Sequence, residues 1–281
     1  MMAAVLMDGK SLAARVKAQL AQTSAKMKKK PALAVILAGD DPASAVYVRN
    51  KEKDCAECGI LCRDFRLPAS VSQTELLALV EQLNADSDVD GILVQLPLPR
   101  HLEPRKILFA IDPGKDVDCF HPANVGRLWQ GSGIYQPCTP AGVMALLQEY
   151  HIDPCGRSCV IIGRSDIVGK PMAALLLEAH GTVTVCHSKT ENLPAICRGA
   201  DILVTAVGQK GLVTADMVKP GAVVIDVAMN RKEDGHLCGD TDFEAVSEIA
   251  SFITPVPGGV GPMTRAMLMA NTLTAAQRHQ K

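Results

Sequence analysis

Two rhythms of apolar and polar positions alternate along this chain, one with the period of a helix and one with that of a strand. Leu12, Val16 and Leu20 recur at helical spacing behind Asp8, a capping residue, and Ala32 to Ala38 is apolar throughout, as a strand covered on both faces would be. Gly39-Asp-Asp-Pro42 turns the chain into a helix running to Gly59, and Ile60 to Leu67 reads as the next strand. Ser72-Gln-Thr-Glu75 is a capping box opening a further helix, and Gly91 to Leu96 is a buried strand halted by Pro97. Alternation of this kind predicts βαβ units and a parallel sheet.

Thr139-Pro140 places a cap and a first-turn proline ahead of a helix that bridges into a second domain. There Val160 to Ile162 is a short strand, Thr182 to Cys186 alternates like a buried one, and Ile202–Ala206 and Ala222–Val227 supply two more. Thr254 to Thr264 is dense in Gly and Pro, so its backbone is closely specified; it is a loop over a ligand or a rigid connector, and a last helix follows it. The expected fold class is α/β with two domains, divided where residue 139 meets residue 140.

Bulk composition narrows the classes. With 29 basic and 30 acidic residues in 281, the net charge is −1, which offers no broad footprint for nucleic acid or an anionic membrane. The apolar start Met1 to Met7 stops at Asp8, and no later run approaches the length of a membrane span. Ten scattered cysteines suit a reducing cytoplasm. Cys55, Cys58 and Cys62 invite a zinc or redox reading, but no second C-x-x-C supplies further ligands, and their spacing fits one face of a helix where thiols pack as small hydrophobes. No metal is expected.

The chemistry concentrates in a few places. Val160-Ile-Ile-Gly-Arg-Ser-Asp-Ile-Val-Gly-Lys-Pro171 has the form of a phosphate grip, in which a strand, a small-residue turn and a helix with unpaired N–H groups meet an anion. It is not G-x-G-x-x-G, because Ser165 replaces the second glycine, and an ordinary turn would look similar. About 25 residues past Gly163 stand His187-Ser188-Lys189 rather than a carboxylate, so Arg164 and Ser188 suit the ribose phosphate of NADP better than the bare ribose of NAD. In the first half, Tyr47 and Lys51 share a helix face. Gln95 puts an amide at the end of an apolar strand, where it needs partners. Asp118 closes Lys115-Asp-Val-Asp118. Singly, each also reads as a packed aromatic, a solvated lysine or a turn former.

Together these stretches resemble the bifunctional methylenetetrahydrofolate dehydrogenase/methenyltetrahydrofolate cyclohydrolase family. The segments that carry the resemblance are Ser44-Ala-Val-Tyr-Val-Arg-Asn-Lys51, Gly91-Ile-Leu-Val-Gln-Leu-Pro-Leu-Pro99, Lys115–Asp118, Gly163–Pro171 and Thr254–Thr264. The resemblance implies an N-terminal αβα folate-binding catalytic domain over residues 1–139, a C-terminal Rossmann-like NADP domain over residues 140–262, a cleft between them, and a final helix, residues 263–281, returning to the first. It further implies a cytoplasmic homodimer joined through the NADP domain. By matching position, the resemblance implies that Lys51 would be the catalytic lysine, Gln95 its partner, Tyr47 the platform for the aminobenzoyl group and Asp118 the pterin anchor. Pro257, Gly258 and Gly259 would line the folate site, Gly163, Arg164, Ser165 and Ser188 would hold NADP, and Met229 would lie near its adenosine or ribose. A monofunctional dehydrogenase and a non-catalytic NADP-binding protein are the alternatives; Tyr47, Lys51, Gln95 and Asp118 are all retained, which argues against both. The chain departs from the family pattern at Cys119, usually glycine, and at Asp166, Met229 and Thr241.

Overall fold

The computed structural model describes residues 3–280, with the backbone alone for Pro42, Ala43 and Ala45; the apolar start at Met1 to Met7 thus falls partly outside the described residues. In chain order the elements begin β1 (Val5–Leu6), α1 (Gly9–Ser24), β2 (Ala32–Ala38), α2 (Pro42–Glu57), β3 (Leu61–Leu67), α3 (Gln73–Ala85) and β4 (Gly91–Val94). They continue with α4 (Pro104–Leu108), α5 (Pro122–Trp129), α6 (Cys138–Glu149), β5 (Ser158–Ile162), α7 (Gly169–Glu178), β6 (Thr182–Cys186) and α8 (Leu193–Arg198). The last are β7 (Ile202–Thr205), β8 (Val223–Asp226), β9 (Asn230–Arg231), β10 (Leu237–Cys238), α9 (Phe243–Ser247), β11 (Phe252–Ile253) and α10 (Val260–His279).

Two compact units result. Ala14–Cys138 with Arg265–Lys281 forms one, and Met1–Ala13 with Thr139–Thr264 the other. The expected division placed the amino terminus with the first unit. The structure assigns it to the second, because β1 pairs with β11 and extends that unit's sheet.

The first unit is built on a parallel sheet of order β3-β2-β4. Every residue of β2 is buried, as its unbroken apolar run requires. Side chains alternate across the sheet, so Leu33, Val35 and Leu37 enter one core with Val48, Cys55, Leu268 and Met269, while Ala34, Ile36 and Ala38 enter another with Leu76, Val80 and Ile107. Helices therefore cover both faces in an αβα arrangement. Ser72 and Glu75 form the expected reciprocal cap of α3. The cysteine trio is not one helical face, however: α2 ends at Glu57, Cys58 is its C-cap, and Cys62 stands on β3, packed against the core that holds Cys55 and Cys58.

The second unit carries a six-stranded sheet of order β1-β11-β8-β7-β5-β6, with every pair parallel. β6 and β7 both follow β5 yet lie on opposite sides of it. That reversal opens a crevice at the carboxyl end of β5, where Gly163 stands. β6 proves to be an edge strand with only Cys186 buried, against the expectation of a buried strand, because alternation alone does not reveal strand order. The bridging helix α6 starts at Cys138, so Thr139 lies inside its first turn rather than capping it. Among the described residues, no helix is long and apolar enough to cross a membrane.

Candidate functional site

Asp41 caps α2 by accepting from the Ser44 amide at 2.8 Å, which starts the helix that carries Tyr47 and Lys51, both half-buried. The Lys51 ammonium donates to Gln95 Oε1 at 2.9 Å. Gln95 follows β4, its amide still in register through Ile36 O at 2.8 Å, and its Nε2 donates to Leu96 O at 2.6 Å. With the NH2 end occupied by a carbonyl, the amide oxygen is the end left to face Lys51. Burial is the main force lowering the Lys51 pKa below the ordinary lysine range; Asp118 opposes it most, the Cys138 and Cys55 thiols add to that opposition, and Arg265 assists the lowering. One turn further along α2, buried Asp54 takes Lys17 at 2.7 Å and Arg265 at 3.0 Å, which fixes the helix from its other side.

The Lys115–Asp118 motif divides its labour. Lys115, buried, donates to Leu83 O at 2.9 Å and Asp86 O at 2.7 Å, satisfying carbonyls at the end of α3. Asp116 accepts from the amides of Phe120 and His121 and from Asn124 Nδ2, and so bends the following loop around itself. Val117 is fully buried against Gly91, where a Cβ would lie 2.7 Å from its Cγ1. Asp118 is the member of the motif whose charge bears on Lys51. Its pKa is raised by burial, with the Lys51 charge pulling the other way, and its Oδ1 accepts from Cys138 Sγ at 3.6 Å. Cys138 is thus part of the cluster, although nothing in the pattern around it marked it. Cys119, next in sequence, has φ +62°, the conformation that explains the usual glycine there. Its buried thiol donates to Tyr135 O at 3.4 Å, and burial pushes its pKa up to about 12.

In the second unit the turn after β5 is shaped by close approach. Gly163 has φ +127°, and a Cβ there would meet Ala206 O at 2.7 Å; a Cβ on Gly169 would meet Gly163 O at 2.2 Å. A cradle this tight, which admits backbone but no side chain, fits a dinucleotide's phosphates. The amides at the start of α7 are not open as expected: Ser165 Oγ accepts from Val168 at 3.1 Å and Gly169 at 3.3 Å, and Ser165 O accepts from Lys170 at 3.1 Å. In the turn itself Arg164 and Ser165 are exposed. Asp166 is ion-paired with Lys170, which offsets the like charge it would present to a phosphate. Ser188 is exposed just past β6. Met229, exposed after β8, belongs to a strand end about 14 Å away, three spacings of the sheet from β6. Between them Asp240, fully buried, holds the loop after β7 through the amides of Val207, Gly208 and Gln209 and the Thr205 hydroxyl. Thr241 donates its hydroxyl to Asp226 at 2.7 Å, so this departure from the family pattern adds a buried hydrogen bond.

The Pro-Gly-Gly loop is tied within the same unit. Gly258 has φ +113° and accepts from the Lys10 amide at 3.0 Å, and the Gly259 amide donates to Pro255 O at 2.8 Å. A Cβ on Gly9 would sit 1.9 Å from Gly259 O, so the loop is moulded to the start of α1. Pro257 is exposed beside it.

A parallel sheet whose strand order reverses at a glycine cradle in the second unit, and a half-buried amine held by an amide in the first, fit a two-domain, dinucleotide-binding α/β enzyme. Residues 7–118 match the catalytic domain of tetrahydrofolate dehydrogenase/cyclohydrolase, and residues 137–280 match the NAD(P)-binding domain of the same enzymes. The chain is 54% identical over 283 residues to the bifunctional protein FolD of Acetivibrio thermocellus, covering 100% of this chain and 99% of that one. The solved FolD methylenetetrahydrofolate dehydrogenase/cyclohydrolase of Campylobacter jejuni superposes with a TM-score of 0.96 at 52% identity, covering 98% of this chain and 100% of that one. A FolD from Trypanosoma brucei, solved with NADP and an inhibitor, gives a TM-score of 0.94 at 41% identity, with 99% of each chain covered. The chain belongs to the tetrahydrofolate dehydrogenase/cyclohydrolase family.

Proposed function

We propose that the chain oxidises 5,10-methylenetetrahydrofolate to 5,10-methenyltetrahydrofolate with NADP and hydrolyses the product to 10-formyltetrahydrofolate. Family membership supports both activities, and the relatives just named are bifunctional. The observation that carries the second activity is the half-buried Lys51 amine, 2.9 Å from Gln95 Oε1.

The cyclohydrolase step adds water to a cation and then opens a ring, so a proton must leave the water and another must reach the departing ring nitrogen. Lys51 handles both. Its lowered pKa makes the neutral amine accessible, its lone pair takes the water's proton, and the ammonium returns it to nitrogen. Gln95, pinned by Leu96 O, accepts one N–H and so aims the lone pair without adding charge. A bound methenyl cation depresses the Lys51 pKa further, since like charges disfavour one another. Asp118 anchors the pterin, and Tyr47 supports the aminobenzoyl group one turn along α2 from Lys51. Pro257, Gly258 and Gly259 contribute backbone to the folate site.

Gly163, Arg164, Ser165 and Ser188 would hold NADP by its phosphates, with Met229 contacting a more distant part of it. When bound, NADP supplies the hydride acceptor. The finer reading is a cytoplasmic homodimer joined through the second unit, with no nucleic acid or membrane partner; the balanced net charge of −1 supports the last point. One cuvette tests the central claim. Methylenetetrahydrofolate and NADP are mixed with enzyme, and absorbance follows first the reduced cofactor and then decay of the methenyl product. Decay no faster than in buffer would leave a dehydrogenase only; no cofactor reduction would remove the first activity.

A further inference from the structure

Asn271 is a polar side chain in an apolar stretch of α10, between core residues Leu268, Met269 and Leu273. Its Nδ2 donates to Val117 O and to Gln136 O, both at 2.8 Å, with Cys138 Sγ 3.6 Å away. Both hydrogens of the amide are thereby used, and two carbonyl partners fix which end of the side chain faces them. The two carbonyls belong to separate segments. One immediately precedes Asp118, and the other lies two residues before Cys138. Other ties between these segments run through thiols, Cys119 to Tyr135 O at 3.4 Å and Cys138 to Val117 O at 3.5 Å, and thiols are weak donors; further upstream the Tyr135 hydroxyl donates to Gly114 O.

We propose that Asn271 is a positioning residue for the Lys51 centre: by clamping the Val117 and Gln136 carbonyls together it holds Asp118 and Cys138 against Lys51, without touching substrate. The inference rests on Lys51 being the proton-handling group of the cyclohydrolase. The titratable groups facing Lys51 are Asp118, Cys138, Cys55, Cys62 and Arg265, and Asp118 is the strongest of them in favouring the ammonium. If the clamp opens, Asp118 retreats while Lys51 stays half-buried beside Gln95. The ammonium then loses its main counter-charge, and Lys51 gives up its proton at lower pH.

The test compares full-length wild type, Asn271→Leu and Asn271→Ser in methenyltetrahydrofolate hydrolysis across pH, with isotope-labelled lysine NMR reading the Lys51 titration and NADP titration as a control. Asn271→Leu keeps the shape but donates nothing. Its maximal rate should fall about 100-fold, the loss expected of a misalignment near 1 Å, and its Lys51 midpoint should move down by about one pH unit. Asn271→Ser, which retains one donor, should lie between and carries the test if the leucine variant does not fold. In an Asp118→Asn background, Asn271→Leu should add little to the NMR midpoint shift, while NADP affinity stays within about twofold throughout. Unmoved midpoints in both variants, or a full additional shift without the Asp118 carboxylate, overturn the clamp. A wild type that does not hydrolyse methenyltetrahydrofolate overturns the Lys51 reading and the clamp together, whereas an active wild type with unmoved midpoints overturns the clamp alone.

Discussion

The Lys51 centre and the Gly163 turn solve opposite problems. Around Lys51, reactive groups are taken out of water and given partners inside the protein: Gln95 for the amine, Cys138 for Asp118, Arg265 and Lys17 for the neighbouring Asp54. Around Gly163 the side chains proposed to meet the ligand, Arg164, Ser165 and Ser188, are exposed, and what is specified is backbone shape. One region sets the local dielectric and charge around its polar groups. The other leaves room around a closely specified backbone. Substitutions should therefore separate the two, altering pH behaviour and turnover in the first and affinity in the second.

The sharpest break is Lys51→Met, expected to cut methenyltetrahydrofolate hydrolysis by about 10²–10⁴-fold while NADP binding stays near normal. Residual turnover like that of wild type in stopped assays would remove the proton role. Next is Gly163→Ala, which forces a Cβ to 2.7 Å from Ala206 O at φ +127°. It should cost about 2 kcal/mol of stability and most of the NADP affinity, measured by thermal unfolding and titration. Lys51 chemistry on preformed methenyltetrahydrofolate should suffer far less, and an equal loss would blur the contrast.

Ser188→Asp should weaken NADP about tenfold or more while leaving NAD less affected, because a new carboxylate repels a ribose phosphate. Equal losses for both cofactors would show that Ser188 does not meet that phosphate. The pH dependence follows from sign. Lys51 has a folded-state pKa below its unfolded value, so the neutral amine gains and hydrolysis rises as pH climbs through that lowered value, reaching its plateau below the range of a free lysine. A rate still climbing through the free-lysine range contradicts the burial argument. The smallest effect is at Cys119. Replacing it with glycine relieves a left-handed φ of +62° but forfeits a buried thiol, so stability by denaturant titration should change by no more than about 1 kcal/mol.

Much of this was legible in residue order, for local reasons. The Ser72–Glu75 cap, the Gly39–Pro42 turn and the fully apolar β2 express short-range chemistry, and Gln95 announced itself as an amide inside an apolar strand. What stayed hidden depends on assembly. Cys62 leaves the helical face because α2 stops at Glu57, and β6 is exposed because strand order puts it at the edge. Cys138 and Asn271 matter only once α10 and the Val117 segment are adjacent, a contact between residues more than a hundred positions apart in sequence. Asn271 left a faint trace as a polar residue in an apolar helix. Cys138 left none, since a single thiol reads as a small hydrophobe.

The cap that Lys115 places on α3 has a kinetic consequence. Its nitrogen is committed to Leu83 O and Asp86 O in a buried setting, so acylating reagents can reach it only when that corner of the first unit transiently unfolds. The rate at which Lys115 is modified in the native protein is therefore a clock for those opening events, running slowly beside the many surface lysines of the same molecule.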